Sequence, residues 1–214
     1  DFTSRIPAAV LSIATVAVGL LAFRRYLGRK GALVAGFLLL ISPFMLFYGR
    51  YARNEAYIVL WTILILYAVL RYLERGETWV LLLFTLANSL QFADKATSYM
   101  FAAQQFVFLL VYLIDRLARR EWPEGQVQRR IRFLLGLLLL VVFAAGAAAL
   151  YVTYKPLDLT MKLTVGGLAL AAAGSLAWSV VEVLRGLGLE QLRKERSLDL
   201  LLLLGTFLLP LVGA

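Results

Sequence analysis

Ser42-Pro43-Phe44-Met45-Leu46-Phe47-Tyr48-Gly49-Arg50-Tyr51-Ala52-Arg53-Asn54-Glu55-Ala56-Tyr57 sets two arginines and a carboxylate between two long apolar runs. An ionisable group in hydrocarbon costs roughly 2.5 to 3.5 kcal/mol at a helix centre and less near the interface, so it marks an anchor or a site. Snorkelling to lipid headgroups accounts for Arg50 and Arg53 but not for Glu55 beside them. Both readings therefore stand, anchor and site.

The surroundings of this stretch are unlike a soluble domain. Of 214 residues, 62% are hydrophobic and 16% charged, and the mean hydropathy is +0.82. These values define an integral membrane protein. A net charge of +9 invites comparison with nucleic-acid binders, but the basic residues lie in short loops between apolar runs and not on one solvated face, which excludes a nucleic-acid partner. With no Cys and no His, disulfides, Cys/His zinc sites, histidine-ligated haem and thiol or imidazole catalysis are ruled out for this chain.

Apolar runs occupy residues 6–23, 31–48, 56–70, 78–93, 99–114, 133–154, 163–184 and 198–214. They predict an all-α, polytopic transmembrane bundle of about eight helices, arranged as a single transmembrane domain over 1–214. The third, fourth and fifth runs fall short of the roughly 20 residues of a full span, so re-entrance, tilt or local thinning is expected among them.

Lys and Arg then fix the orientation. One set of alternate loops holds Arg24, Arg25, Arg29, Lys30, Arg71, Arg75, Arg116, Arg119, Arg120, Arg129, Arg130, Arg132, Arg185, Arg193, Lys194 and Arg196, and the other only Arg5, Arg50, Arg53, Lys95, Lys155 and Lys162. The first set is cytoplasmic by the positive-inside rule. Asp1, Arg50, Arg53, Glu55, Asp94 and Lys95 therefore share the outer side. Asp1 precedes an inward-running helix without an initiator Met or signal-like segment, and the last apolar run stops at the C-terminus, so the sequence reads as a fragment of a longer chain.

Local motifs sharpen the picture. Ser42-Pro43 ends or bends a helix, since proline lacks the N–H. Tyr48, Tyr51, Tyr57 and Trp61 suit an interface belt, with stacking on a sugar ring as the other reading. Asn88, Gln91, Asp94 and Lys95 fall at three-to-four spacing on one helix stripe, and Gln104 and Gln105 add amides to the next helix; interhelical hydrogen bonding is the expected role of the amides. Lys95 differs, because an ammonium at the membrane edge suits a phosphate as a point-charge partner. The loop Asp115–Arg132, with its Trp122-Pro123-Glu124-Gly125 turn signal, is expected on the inner leaflet against anionic lipid. Gly167, Ala171 and Ser175 form a small-residue row for helix packing, and Glu182 is expected to reach the interface.

Three segments carry a family resemblance: Phe2-Thr3-Ser4-Arg5-Ile6-Pro7-Ala8-Ala9-Val10-Leu11, Arg24-Arg25-Tyr26-Leu27-Gly28-Arg29-Lys30-Gly31-Ala32-Leu33, and Ser42-Pro43-Phe44 with Tyr48-Gly49-Arg50-Tyr51-Ala52-Arg53-Asn54-Glu55. Over about residues 2–114 the chain resembles polytopic glycosyltransferases of the GT-C fold, specifically the family 39 dolichyl-phosphate-mannose-protein mannosyltransferase group. Gln91-Phe92-Ala93-Asp94-Lys95-Ala96-Thr97 resembles that group's lysine-bearing segment, with Asp94 standing where Thr is more usual.

The resemblance implies a membrane glycosyltransferase that moves a sugar from a polyprenyl-phosphate donor to an acceptor on the outer face. It implies an acidic catalytic motif in the first outer loop, upstream of Asp1, so the catalytic base is unassigned here. Arg50, Arg53, Glu55 and Lys95 would line the donor site, where fixed positive charge favours a phosphate leaving group. Glu55 would hold an arginine or ligate a divalent metal through oxygen. The alternative is a non-catalytic membrane subunit packed with other membrane protein subunits in a larger complex.

Overall fold

The computed structural model describes residues 2–48, 55–123, 125–154 and 158–212, with side chains over 6–207 of these. Among them there are helices and no strands, so the fold is all-α as predicted. Each of the eight apolar runs has its helix: α1 (Phe2–Ile41) and α2 (Pro43–Tyr48) hold the first two, and α3 (Glu55–Arg75), α4 (Thr78–Asp94), α5 (Ser98–Arg119), α6 (Val127–Thr153), α7 (Leu159–Leu187) and α9 (Arg196–Val212) the rest. The short α8 (Leu189–Leu192) lies between the last two.

Among the described residues, five stretches are long and apolar enough to cross a membrane: Ile6–Ile41, Glu55–Arg75, Ser98–Arg119, Val127–Thr153 and Leu159–Leu187. The first is two helices. Gly28 sits at φ 70°, ψ 173°, a conformation open to glycine and strained for other residues. Straight, α1 would run about 60 Å, twice the hydrocarbon thickness. Instead it folds back, so that a Cβ on Gly19 would lie 2.8 Å from Leu39 Cδ1, and one on Gly36 3.0 Å from Leu20 Cδ1. Ser42 is non-helical and Pro43 opens α2, where its missing N–H costs nothing.

The expectation of short third and fifth spans is corrected. α3 has 21 residues and α5 has 22, because the helices continue through Arg71, Arg75, Arg116 and Arg119, whose aliphatic stems extend the apolar length. Only α4, with 17, stays short.

Contacts divide the chain into two compact units, one of residues 1–111 with 196–214 and one of 112–195. In the first, α3 and α4 form an antiparallel hairpin, with α1 packed on α3 and α9 on both. Gly76, at φ 71°, ends α3, and its N–H donates to Tyr72 O. Arg196 lies over it, donating to Leu73 O (3.1 Å) and Glu74 O (2.6 Å), and so caps carbonyls that a helix end leaves unpaired. Tyr72 Oη donates to Asp199 Oδ2 at 2.6 Å, and Phe92 stacks on Phe207. Val80, Phe84, Ala87, Asn88 and Gln91 are the buried face of α4.

The second unit is built on the antiparallel pair α6 and α7. Here the predicted small-residue row shifts by part of a turn. Gly167 is exposed, with nothing near its missing Cβ, whereas Ala172, Ser175 and Ser179 are buried. They meet Gly136 of α6, where a Cβ would overlap Ser179 Oγ and approach Ser175 O to 3.2 Å. Only glycine lets the backbones this close.

One further expectation changes in this unit. Glu182 does not reach out: it is 6% exposed, accepts from Trp178 Nε1 at 3.2 Å and pairs with Arg132 at 3.8 Å. Trp122 precedes the turn that the sequence signals, in which Gln126 N–H donates to Pro123 O at 2.9 Å. Trp122 is buried, donates Nε1–H to Leu117 O at 3.1 Å, and fills the space that the missing side chain of Gly186 leaves.

Candidate functional site

The α3/α4 hairpin determines which residues meet at its open end. α3 starts at Glu55, whose carboxylate sits in the first turn where the helix dipole favours negative charge. α4 ends at Asp94, and Lys95 leaves it in an extended conformation (φ −159°, ψ 139°). Because the hairpin turns at Gly76, residues near 55 and 95 fall level. Lys95 Nζ donates to Glu55 Oε1 at 3.0 Å, with Glu55 13% and Lys95 39% exposed. The pair is therefore half-shielded, with its ammonium on the more open side.

One and a half turns into α3, Trp61 Nε1 donates to Asp94 Oδ2 at 2.6 Å. Asp94 and Lys95 are thus held by two different partners on α3 and not by one another. Below them Gln91 Nε2 donates to Thr62 Oγ1 at 2.9 Å, Thr62 Oγ1 donates to Ile58 O at 2.8 Å, and Ser98 Oγ of α5 donates to Gln91 O at 2.5 Å. Each buried polar group in this ladder has a partner, which removes the desolvation cost that would otherwise open the hairpin.

The amides behave less uniformly than the sequence suggests. Gln91 bridges helices as expected, but Asn88 Nδ2 bonds within its own helix to Phe84 O at 3.0 Å, leaving its buried Oδ1 without a partner. Gln104 and Gln105 line a cavity of about 240 Å³ between α3 and α5 with Thr62, Ile65, Phe101 and Phe108. Gln105 Oε1 is buried there with no partner.

Of the four sequence-predicted site residues, Glu55 and Lys95 are brought together, while Arg50 and Arg53 lie outside the described residues. Trp61, Thr62 and Ser98 were the missing members, and the register of the hairpin is the signal that could have found them. Among the described residues no three His, Cys, Asp or Glu side chains cluster so as to hold a metal ion.

A profile of the family described as dolichyl-phosphate-mannose-protein mannosyltransferase matches residues 1–148. The chain belongs to this family. The match reaches beyond the 2–114 read from motifs and takes in the whole α3/α4 hairpin, α5 and most of α6. No curated protein and no solved structure matches the chain. As a dolichyl-phosphate-mannose-protein mannosyltransferase family member, it is a polytopic helical membrane protein of glycosyltransferase type. α7, α8 and α9 lie outside the matched residues.

Proposed function

We propose that the protein transfers a sugar from a polyprenyl-phosphate donor to an acceptor on the outer face of the membrane, with the donor phosphate received at the open end of the α3/α4 hairpin. The observation that supports this reading is the Lys95–Glu55 pair. Glu55 fixes the Lys95 ammonium at the rim of an apolar bundle, where an incoming phosphate would compete with Glu55 for it in surroundings less polar than water.

In the reaction the C1–O bond between sugar and phosphate breaks and its electron pair stays on the phosphate oxygen, while an acceptor oxygen forms the new bond to C1 and gives up its proton to a base that we do not assign. Lys95 opposes the charge that grows on the departing phosphate. Arg50 and Arg53, next to Glu55 in sequence, are proposed to share that task, and Asp94, oriented by Trp61, to position the donor. The orientation that the Lys and Arg distribution predicts, with Asp1 outside and the basic loops cytoplasmic, belongs to the same proposal.

The test is sugar transfer by full-length protein in proteoliposomes with a polyprenyl-phosphate sugar. Lys95→Gln should lower kcat by about a hundredfold or more, the loss typical when one charge-stabilising donor is removed, with Lys95→Arg retaining a larger share. Undiminished turnover in Lys95→Gln would remove the residue from the site.

A second reading, a non-catalytic subunit within a membrane complex, is favoured by one observation. Gly166, Gly167 and Gly174 of α7 face outward with nothing near their missing Cβ atoms, which leaves room for a neighbouring helix to approach closely. Stable co-purification with another membrane protein, together with absence of transfer, would favour it.

A further inference from the structure

We infer that the cationic end of the second unit is a binding surface for anionic phospholipid headgroups, and that it works through a particular subset of its arginines and lysines. Three observations gather these groups at one end. Trp122, just after α5, fills the space at Gly186 near the end of α7, and its ring lies tilted against that of Phe133 near the start of α6, centroids 6.1 Å apart. Arg132 of α6 pairs with Glu182 of α7. Glu195, after α8, accepts from Arg120, just past α5, at 2.8 Å and lies 3.7 Å from Arg116 in the last turn of α5. The ends of three apolar helices therefore converge.

Within that end the charges fall into two classes. Arg120 pairs with Glu195, which Arg116 shares at 3.7 Å, Arg119 pairs with Asp115 at 2.7 Å, and Arg132 with Glu182. Arg129, Arg130, Arg185, Arg193 and Lys194 have no ion pair among the described residues, against the carboxylates Glu121 and Glu190, which also have none. Arg185, Arg193 and Lys194 are exposed, and Arg130 Nε is buried with no acceptor. The most basic-looking segment in sequence, the end of α5 with Arg120, is thus reduced to about one net positive charge by Asp115 and Glu195. The unsatisfied positive charge sits instead at the start of α6 and around α8.

Phospholipid is the occupant because of depth. These groups cap helices long and apolar enough to cross the membrane, which puts them at headgroup level, where a phosphodiester offers the acceptors that the guanidinium and ammonium groups lack. Surface cations attract an anionic leaflet additively, so each neutralisation should weaken the preference about fivefold.

The intact protein in mild detergent, titrated with phosphatidylglycerol or phosphatidylcholine and followed by thermal unfolding and by lipid retained in native mass spectrometry, tests this. Phosphatidylglycerol should bind preferentially and stabilise. Arg129→Gln with Arg130→Gln, or Arg193→Gln with Lys194→Gln, should each lower that preference by about 25-fold, whereas Arg119→Gln with Asp115→Asn, which removes an exposed pair whole, should leave it within about twofold. Equal preference in all of these variants, or equal loss in the Arg119→Gln with Asp115→Asn variant, would overturn the inference. Competition by inorganic phosphate at equal concentration would overturn it in favour of a free-anion site, and binding of an acidic protein in place of lipid would do so in favour of a protein partner. Should the variants fail to fold, salt decides: stabilisation of the unaltered protein by phosphatidylglycerol must fall between low and high ionic strength, and a salt-independent effect would overturn the assignment.

Discussion

Lys95 and Glu55, 40 positions apart in the chain, meet at 3.0 Å because Gly76 turns the α3/α4 hairpin midway between them. The pair joins the end of one helix to the start of another. Double-mutant cycles on Lys95→Met and Glu55→Gln, read by unfolding in mixed micelles, should give a coupling of about 1 kcal/mol, the upper part of the range for partly exposed pairs. A coupling indistinguishable from zero would show that the two side chains do not hold each other.

The amide ladder is expected to matter unevenly. Gln91→Leu removes the donor to Thr62 and should cost about 1 kcal/mol, near the average for interhelical hydrogen bonds in membranes. Asn88→Leu removes an amide whose carbonyl is already unpaired, and should be tolerated better than Gln91→Leu despite equal burial. A reversed order in thermal unfolding would mean that Asn88 has a partner that the ladder lacks.

Glycines separate by environment. Gly136→Ala forces α6 away from Ser179 and Ser175 and should destabilise by about 1 to 3 kcal/mol. Gly167→Ala, on the open face of α7, should be neutral or slightly stabilising through helix propensity. Near-equal melting temperatures for the two variants would contradict the packing of α6 on α7.

The α3 terminus is held from outside. Arg196→Ala releases two carbonyls of α3 and should cost about 1 to 2 kcal/mol. Gly76→Ala should be at least as harmful, since it meets both the left-handed backbone and Arg196 Nε at 2.7 Å. Hydrogen exchange at the last turn of α3 should rise in both variants, and unchanged protection would disprove the cap.

Acid should loosen the α3/α4 connection. Glu77 is held below the ordinary carboxylate range, first by the Trp79 indole N–H at 2.6 Å and then, against some desolvation, by Arg71 and Arg75. A depressed folded value stabilises fully above the carboxyl's ordinary pKa, and the contribution fades as pH falls through the folded value. Trp79→Phe should return the Glu77 titration, followed by carboxyl NMR, toward its ordinary position. A titration that does not move would assign the shift to the arginines instead.

The sequence by itself determined the all-α class and the membrane setting, because run length and the absence of polar faces are local properties that no packing arrangement can reverse. It also marked Ser42-Pro43 as a break, since a missing N–H acts within a few residues, whereas the reversal at Gly28 emerged only in the structure. Tertiary structure alone decided the partners. That Lys95 faces Glu55 and Asp94 faces Trp61 depends on hairpin register, and that α7 packs through Ala172, Ser175 and Ser179 and not through Gly167 depends on a rotation of less than one turn. Such choices are set by the close fit of one surface on another, where a shift of a few ångströms exchanges every contact while leaving the apolar pattern unchanged.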